Sequence, residues 1–173
     1  SGTQYTPEKG WDENKLDMFR RHIIQLGNSG VYVIYDELEG KEAVTWSYLL
    51  HTVELPMEMK ELPNEVQVTG KNKAGGVSVA HLFSSAKTEQ AIADTFFCAP
   101  TNWKNVTNAQ GKALKYPNHW HFSSTTVPCK VARFLTVMDT HGNNRPDMKV
   151  VRNGNTVQVG DWVINCNLTE KGK

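Results

Sequence analysis

Hydrophobic and β-branched residues recur at alternate positions along much of the chain, and turn-forming residues separate the runs. Three such runs follow one another near the start, at residues 21–26, 31–35 and 44–51. A Gly-Asn-Ser-Gly turn at 27–30 and an acidic turn at 36–42 divide them. In the third run, Trp46 and Tyr48 share one face by the two-residue period of a strand. The stretch therefore predicts three consecutive strands without a helix.

The remaining chain continues this pattern. A hairpin is predicted from 65–69 and 77–83, and the Asn153-Gly154 turn signals a second hairpin. Residues 55–62 fit a strand or a helical turn, and 84–93 fit a short helical turn. Further strands are predicted at residues 120–125, 130–139, 148–152, 156–159 and 162–168. About ten short strands and almost no 3.6-residue period predict an all-β fold, an antiparallel β-sandwich.

Length and composition predict a single compact domain. The chain has 173 residues and is 39% hydrophobic, which is enough for a substantial core. We expect residues 1–15 to be a loose N-terminal segment, with Ser1-Gly2 resembling a cloning scar, and residues 16–173 to form one β-sandwich domain. The net charge of +1 argues against strong non-specific binding of nucleic acid, and no apolar run is long enough for a membrane span.

The cysteines favour buried thiols. Cys98, Cys129 and Cys166 are odd in number and widely spaced, and no CxxC pattern occurs. Zinc ribbons and thioredoxin-like chemistry are therefore not expected. One disulfide is the open alternative. Among the tryptophans, Trp46, Trp120 and Trp162 lie in predicted strands and are expected in the core.

The long segment at 99–117 is the predicted contact site. It contains Trp103 and Lys104, flanked by Asn102 and Asn105. An exposed Trp can stack on a sugar ring, while amides and lysine pair with hydroxyls and carboxylates. We therefore predict that these residues contact glycan or another domain. The alternative is that the segment covers an open edge of the sheet.

The histidines raise two further possibilities. His119 and His121 share a strand face and are added to the predicted contact residues, but two histidines make at most half of a zinc site. We expect them on an exposed polar face opposite a buried Trp120. The acidic cluster at 36–42 is interpreted as a solvated turn rather than a calcium site. No metal, cofactor or catalytic residue is predicted.

Two stretches, in their order along the chain, support a family resemblance. An Arg21-His22 pair precedes an extended strand ending in Asp36-Glu37-Leu38, and a strand with Thr45-Trp46 ends in Leu49-Leu50-His51. A later stretch joins residues 94–97 and 102–105 to 116–122, followed by a strand at 132–138. Over residues 18–165, this order resembles the C-terminal β-domain of heparinase II/III-like polysaccharide lyases.

The resemblance implies a larger parent protein with an N-terminal α-helical toroid that cleaves uronic-acid-containing glycans by β-elimination. It also implies a bacterial, periplasmic or secreted parent. Since nothing here matches the toroid, the implied function is a non-catalytic domain that supports the toroid or the substrate cleft. The toroid, an acidic polysaccharide and a second copy in a homodimer are the expected partners. The alternatives are a carbohydrate-binding module and a purely structural domain.

Intrinsic lyase chemistry is the less favoured alternative. It would need a base, for which His22 and His51 are candidates, and a proton donor to the leaving oxygen. Tyr35 or Tyr48 could fill that second role. The family places these functions upstream of this domain, so we expect the chain alone to be inactive.

Overall fold

The computed structural model describes residues 5–6, 10–11, 16–53, 55–94, 107–113, 119–142 and 145–168. Within these residues the fold is all-β, contains no helix and consists of antiparallel sheets, which confirms the predicted sandwich class. The described strands number fourteen, rather than about ten, and two of them are fourteen residues long. The proposed domain boundary at residue 16 stays a prediction.

A six-stranded sheet forms the centre of the molecule, with strand order β3-β4-β11-β8-β7-β6. Its strands are β3 (Leu16–Gln25), β4 (Val31–Val44), β6 (Glu58–Leu62), β7 (Glu65–Lys71), β8 (Gly76–Ser84) and β11 (Cys129–Gly142). The predicted hairpin at 65–83 is confirmed as β7–β8. Sequential hairpins account for β3–β4 and β6–β7–β8, whereas β11 enters between β4 and β8 from a distant part of the chain.

Three smaller sheets complete the described architecture. One consists of β5 (Ser47–Val53), β10 (His119–Thr126) and β9 (Thr88–Ala93), in the order β5-β10-β9. Another consists of β12 (Val150–Asn153), β13 (Thr156–Val159) and β14 (Trp162–Asn165). The third pairs β1 (Tyr5–Thr6) with β2 (Gly10–Trp11). Gly154 adopts a φ of 59° between β12 and β13, which confirms the hairpin predicted from Asn153-Gly154.

The two larger satellite sheets lie on opposite faces of the central sheet. Along β11, Phe134 packs with Trp46 and Phe122 of the β5-β10-β9 side. Its neighbour Leu135 packs with Val157 of the β12-β13-β14 side. Because successive residues of a strand point to opposite faces, the central sheet is covered on both. We call the face under the β5-β10-β9 sheet the aromatic face. We call the face under the β12-β13-β14 sheet the clasped face, after the polar cluster described below.

Two local predictions are wrong. Residues 36–42 do not turn but continue β4. Asp36 is buried there, and Arg21 of β3 satisfies its carboxylate with two hydrogen bonds, at 2.6 and 2.8 Å. Residues 88–93 form strand β9 rather than a helical turn, since β10 pairs with them along their length. In both places a cross-strand partner overrides the local sequence signal.

The predicted core positions of the three strand tryptophans have different outcomes. Trp46 is 8% exposed and lies in the aromatic-face core, as predicted. Trp120 packs against the same core while remaining partly exposed. Trp162 is 51% exposed, so its predicted core position is wrong. It lies on an edge strand of its small sheet, next to the turn at Gly27.

A polar cluster, which we call the clasp, joins β11 to the β12-β13-β14 sheet. Buried Asp139 accepts hydrogen bonds from both terminal nitrogens of Arg145 and from the Met148 N–H. His141 lies beside it, with Nδ1 at 2.6 Å from the Gly142 carbonyl and Nε2 at 2.9 Å from Asp147. Both ring nitrogens thus face acceptors, an arrangement that only a protonated imidazole satisfies fully.

The clasp changes the titration of its members. The Gly142 carbonyl raises the pKa of His141, and Asp147 and Asp139 add to that effect against the opposing effect of burial. Burial alone would raise the pKa of Asp139, but the hydrogen bonds from Arg145 and Met148 outweigh it and hold the pKa below its usual value. The clasp therefore makes all of its hydrogen bonds when Asp139 is ionised and His141 is protonated.

Cys129 and Cys166 are free thiols, the first partly exposed and the second buried. Burial raises the pKa of Cys166. Cys98 lies outside the described residues.

Candidate ligand pocket

A polar pocket of about 360 Å³ opens at one end of the central sheet. The turn between β6 and β7 forms one wall, and the segment from the end of β8 into β9 forms another. Arg152 of β12 and Ser124 of β10 complete it, so residues from both faces of the central sheet meet there. Its lining residues are Glu61, Leu62, Pro63, Asn64, Glu65, Val66, Leu82, Ser84, Ala86, Lys87, Thr88, Gln90, Ser124 and Arg152.

Hydroxyl and amide groups form one side of the pocket. Gln90 donates from its amide to the Thr88 hydroxyl at 2.7 Å and lies 3.5 Å from the hydroxyl of Ser124. Ser124 is fully buried at the base of this group. Gln90 and Ser124 face each other because they are cross-strand partners in the β9–β10 register. This ladder offers both donors and acceptors to a polyhydroxylated ligand.

The acidic side is held by a buried pair. Glu65 begins β7 and accepts from His81 Nδ1 at 2.6 Å, with 14% of the Glu65 side chain and 5% of the His81 side chain exposed. Gln67 lies 3.4 Å from the same ring nitrogen. Among the described residues, His81 Nε2 is buried without a hydrogen-bond partner. The pair fixes the position of the Glu65 carboxylate at the pocket wall.

Two cations also line the pocket, Lys87 just before β9 and Arg152 on β12. Arg152 is half-buried, its Cζ lies 5.8 Å from the centre of the Phe83 ring, and its Nε donates to the Gly154 carbonyl at 2.9 Å. Burial lowers its pKa. In the described part of the chain, no carboxylate lies within 4 Å of Arg152 or of the exposed Lys87. Their charge is therefore available to an anionic group of a ligand.

The pocket suits binding by a small polar ligand. Its volume lies near the lower end of the range for ligand pockets, which fits one ring-sized unit rather than an extended ligand. The lining combines hydroxyls, an amide, two cations without a carboxylate partner and the carboxylates of Glu61 and Glu65. Leu62, Val66 and Leu82 add apolar surface. A ligand with several hydroxyls and one carboxylate would use every part of this lining.

The two predicted contact residues that the structure describes, His119 and His121, do not line this pocket. Asn102, Trp103, Lys104 and Asn105 lie outside the described residues. Of the histidine pair, His119 is exposed, but His121 is only 6% exposed, so the predicted exposed face is wrong for His121. It pairs across the sheet with His51, and the two rings lie 6.1 Å apart.

The candidate acid–base residues fall on different sheets. His22 stacks on Tyr35 at 5.9 Å on the central sheet, and its Nε2 lies 3.0 Å from Glu37. The Tyr35 hydroxyl donates to the Asn167 carbonyl at 2.5 Å, and burial raises its pKa. His51 instead lies on the outer surface of β5, away from the core-facing Tyr48. The structure brings together His22 and Tyr35 but not all four.

Sequence reasoning missed the main pocket residues. Glu65, Lys87, Gln90, Ser124 and Arg152 are distant in sequence and lie on different strands. One signal was present, because His81 interrupts the apolar alternation of β8 at a position that becomes buried. A buried histidine requires a polar partner, and Glu65 on the paired strand supplies it.

Comparison with known proteins adds no assignment: no family model and no curated protein matches the chain. Among the described residues there is no group of three or more His, Cys, Asp or Glu side chains that could hold a metal ion. The same part of the chain contains no helix of sufficient length and apolar character to cross a membrane.

Proposed function

We propose that this chain is a non-catalytic β-sandwich domain of a heparinase II/III-like polysaccharide lyase, and that its pocket holds a unit of acidic glycan. The observation that carries the binding proposal is that half-buried Arg152, which has no carboxylate partner among the described residues, lines the same pocket as the Gln90–Ser124 ladder. A uronic acid unit presents one carboxylate and several hydroxyls, which matches this lining.

The resemblance of residues 18–165 supports the choice of family and the support role beside a catalytic toroid. A periplasmic or secreted location of the parent is proposed on the same basis. The four candidate acid–base residues lie on different sheets, which supports the proposal that the domain has no lyase activity of its own. They are His22, Tyr35, His51 and Tyr48.

Binding should be measured by isothermal titration calorimetry with uronate-containing oligosaccharides and with the same oligosaccharides after reduction of their carboxyl groups. Arg152→Gln should weaken binding of the uronate form by about tenfold, since it removes one charge-assisted contact. The Lys149→Gln variant is the matched control, because Lys149 is an exposed cation near the same small sheet but outside the pocket. Equal binding by Arg152→Gln and wild type would contradict the pocket assignment.

Two further measurements separate the alternatives. The double variant Trp103→Ala/Lys104→Ala should leave pocket binding intact; if instead it alone abolishes binding, the contact site is the 99–117 segment. Unsaturated products are followed by ultraviolet absorbance after incubating the chain with heparin, heparan sulfate or alginate. We expect none, and product formation that is lost in His51→Ala would show intrinsic lyase activity. No binding to any glycan would favour a purely structural domain.

A further inference from the structure

The two edges of the central sheet differ in how they are protected. Edge strand β6 has only five residues, and Glu58, Lys60 and Glu61 are exposed along it, with Pro63 directly after its end. Short length, charge and proline are the features by which natural sheets prevent another strand from adding. The β6 edge is thus built to remain unpaired.

Edge strand β3 carries charge but has neither the short length nor the proline of β6. It is ten residues long, and between Met18 and Gln25 it pairs with β4 without a register shift. Among the described strands, only β4 pairs with it, so its outer backbone groups form a regular row of donors and acceptors. Phe19 is 59% exposed, Ile23 64% and Ile24 46%.

The charges of β3 select the kind of partner. Arg20, Arg21 and His22 are consecutive at its centre. Arg21 is committed to Asp36 through two hydrogen bonds, whereas Arg20 is 61% exposed in its side chain and reaches Glu37 only at 3.5 Å. A partner strand with an acidic residue opposite Arg20 gains a cross-strand ion pair.

The same charges disfavour a second copy of β3. Two copies paired antiparallel about the middle of the strand would bring their 20–22 segments against each other. Like charges directly opposite one another destabilise a strand pair. An acidic strand therefore fits this edge better than β3 itself.

We propose that β3 is a docking edge that receives an extended acidic segment of a partner protein or domain by β-strand addition. The segment has an acidic residue opposite Arg20 and apolar residues opposite Phe19 and Ile23. Backbone hydrogen bonds supply affinity, and the alternating side chains supply selectivity. This edge and its partner are separate from the glycan pocket and do not depend on it.

The probe is a capped, fluorescein-labelled synthetic peptide with the central sequence Val-Glu-Thr-Glu-Val, followed by fluorescence anisotropy with the full chain. We expect saturable binding of this peptide. The same peptide with lysine in place of glutamate should bind more weakly. A version with N-methyl groups on alternate amides keeps the side chains but cannot pair with a strand, and it should not bind.

Arg20→Glu should weaken binding of the glutamate peptide by about tenfold and strengthen binding of the lysine peptide. Lys60→Glu on the opposite edge is the control and should change neither. Circular dichroism establishes that both variants are folded, as expected for exposed positions. Binding of the N-methylated peptide equal to that of its parent, or no binding of the glutamate peptide, would overturn the proposal. Self-association in analytical ultracentrifugation would also overturn the proposal if Phe19→Thr abolishes it and Arg20→Glu does not weaken it. In that case a second copy of the chain occupies the edge.

Discussion

The two faces of the central sheet are covered by sheets of similar strand number but different construction. On the aromatic face, β5, β10 and β9 have seven, eight and six residues, and Trp46, Tyr48, Phe122 and Phe134 interlock beneath them. On the clasped face, the three strands have four residues each, and the core there consists mainly of Val and Leu with Phe83.

The difference shows how a small sheet can be held in place. Four-residue strands bury little apolar area, and burial stabilises by about 25 cal/mol per Å². The clasp adds directional bonds at the point where β11 leads toward β12, and Arg145 also donates to the Ser29 carbonyl at the β3–β4 turn. The aromatic face therefore depends on packing, and the clasped face depends additionally on charge.

The largest expected effect tests the aromatic face. Trp46→Ala should lower the free energy of unfolding by about 3–5 kcal/mol, since it removes a large buried ring and leaves a cavity. Urea denaturation measures the change. Trp46→Phe is the control: it retains a ring but loses the bond from Trp46 Nε1 to the Cys129 carbonyl, at a cost of about 1 kcal/mol. An unchanged denaturation midpoint for Trp46→Ala would show that packing does not hold this face.

The next effect tests the clasp. Asp139→Ala should lower the free energy of unfolding by about 2–3 kcal/mol, because it leaves the Arg145 guanidinium and the Met148 N–H without their acceptor. The control is Asp147→Ala, whose 59%-exposed carboxylate should contribute less than about 1 kcal/mol. Similar losses in the two variants would mean that the buried position of Asp139 has no special importance.

A third test concerns the turn against which the clasp rests. Gly30 has a φ of 76°, and a Cβ at this position would clash with the Thr140 carbonyl oxygen. Gly154 has a φ of 59°, and a Cβ at this position would enter open space. Gly154→Ala should therefore cost only the left-handed backbone conformation, about 1 kcal/mol. Thermal unfolding should show a larger loss of stability for Gly30→Ala than for Gly154→Ala. Equal losses of stability would contradict the close approach of Gly30 to the Thr140 carbonyl.

The smallest effect is a pH dependence confined to the clasped face. Because the folded-state pKa of His141 is raised from 6.5, its contribution is complete below pH 6.5 and is lost as the pH rises through the higher folded value. Because the pKa of Asp139 is lowered from 3.8, its contribution is complete above pH 3.8 and is lost as the pH falls through the lower folded value. The clasp should thus stabilise most between these limits.

Urea denaturation at a series of pH values above 6.5 checks this sign. His141→Gln cannot take up a proton and should lose the decline in stability on the alkaline side. Trp46→Phe should retain the decline, because its change lies on the other face. If His141→Gln shows the same decline as wild type, another group is responsible.

Much of the fold could be predicted because alternation and turn chemistry are local. The β7–β8 hairpin follows from the alternation around a Gly- and Lys-rich turn, and the β12–β13 hairpin follows from Asn153-Gly154. The buried position of Trp46 follows from its place in an alternating apolar run. The predictions failed where a distant strand decided the outcome, as at residues 36–42, where Arg21 makes an acidic stretch compatible with a strand.

The amino-acid sequence by itself determined the all-β class, the hairpins and the aromatic core position of Trp46, because these depend on side-chain period and on backbone preferences within a few residues. The tertiary structure alone decided which strands are edges, that β11 lies between β4 and β8, and that Trp162 is exposed. It also decided the pocket and the clasp. Glu65 and Arg152 line one pocket only because the β12-β13-β14 sheet packs against the central sheet, and no local period encodes that packing of residues far apart in the chain.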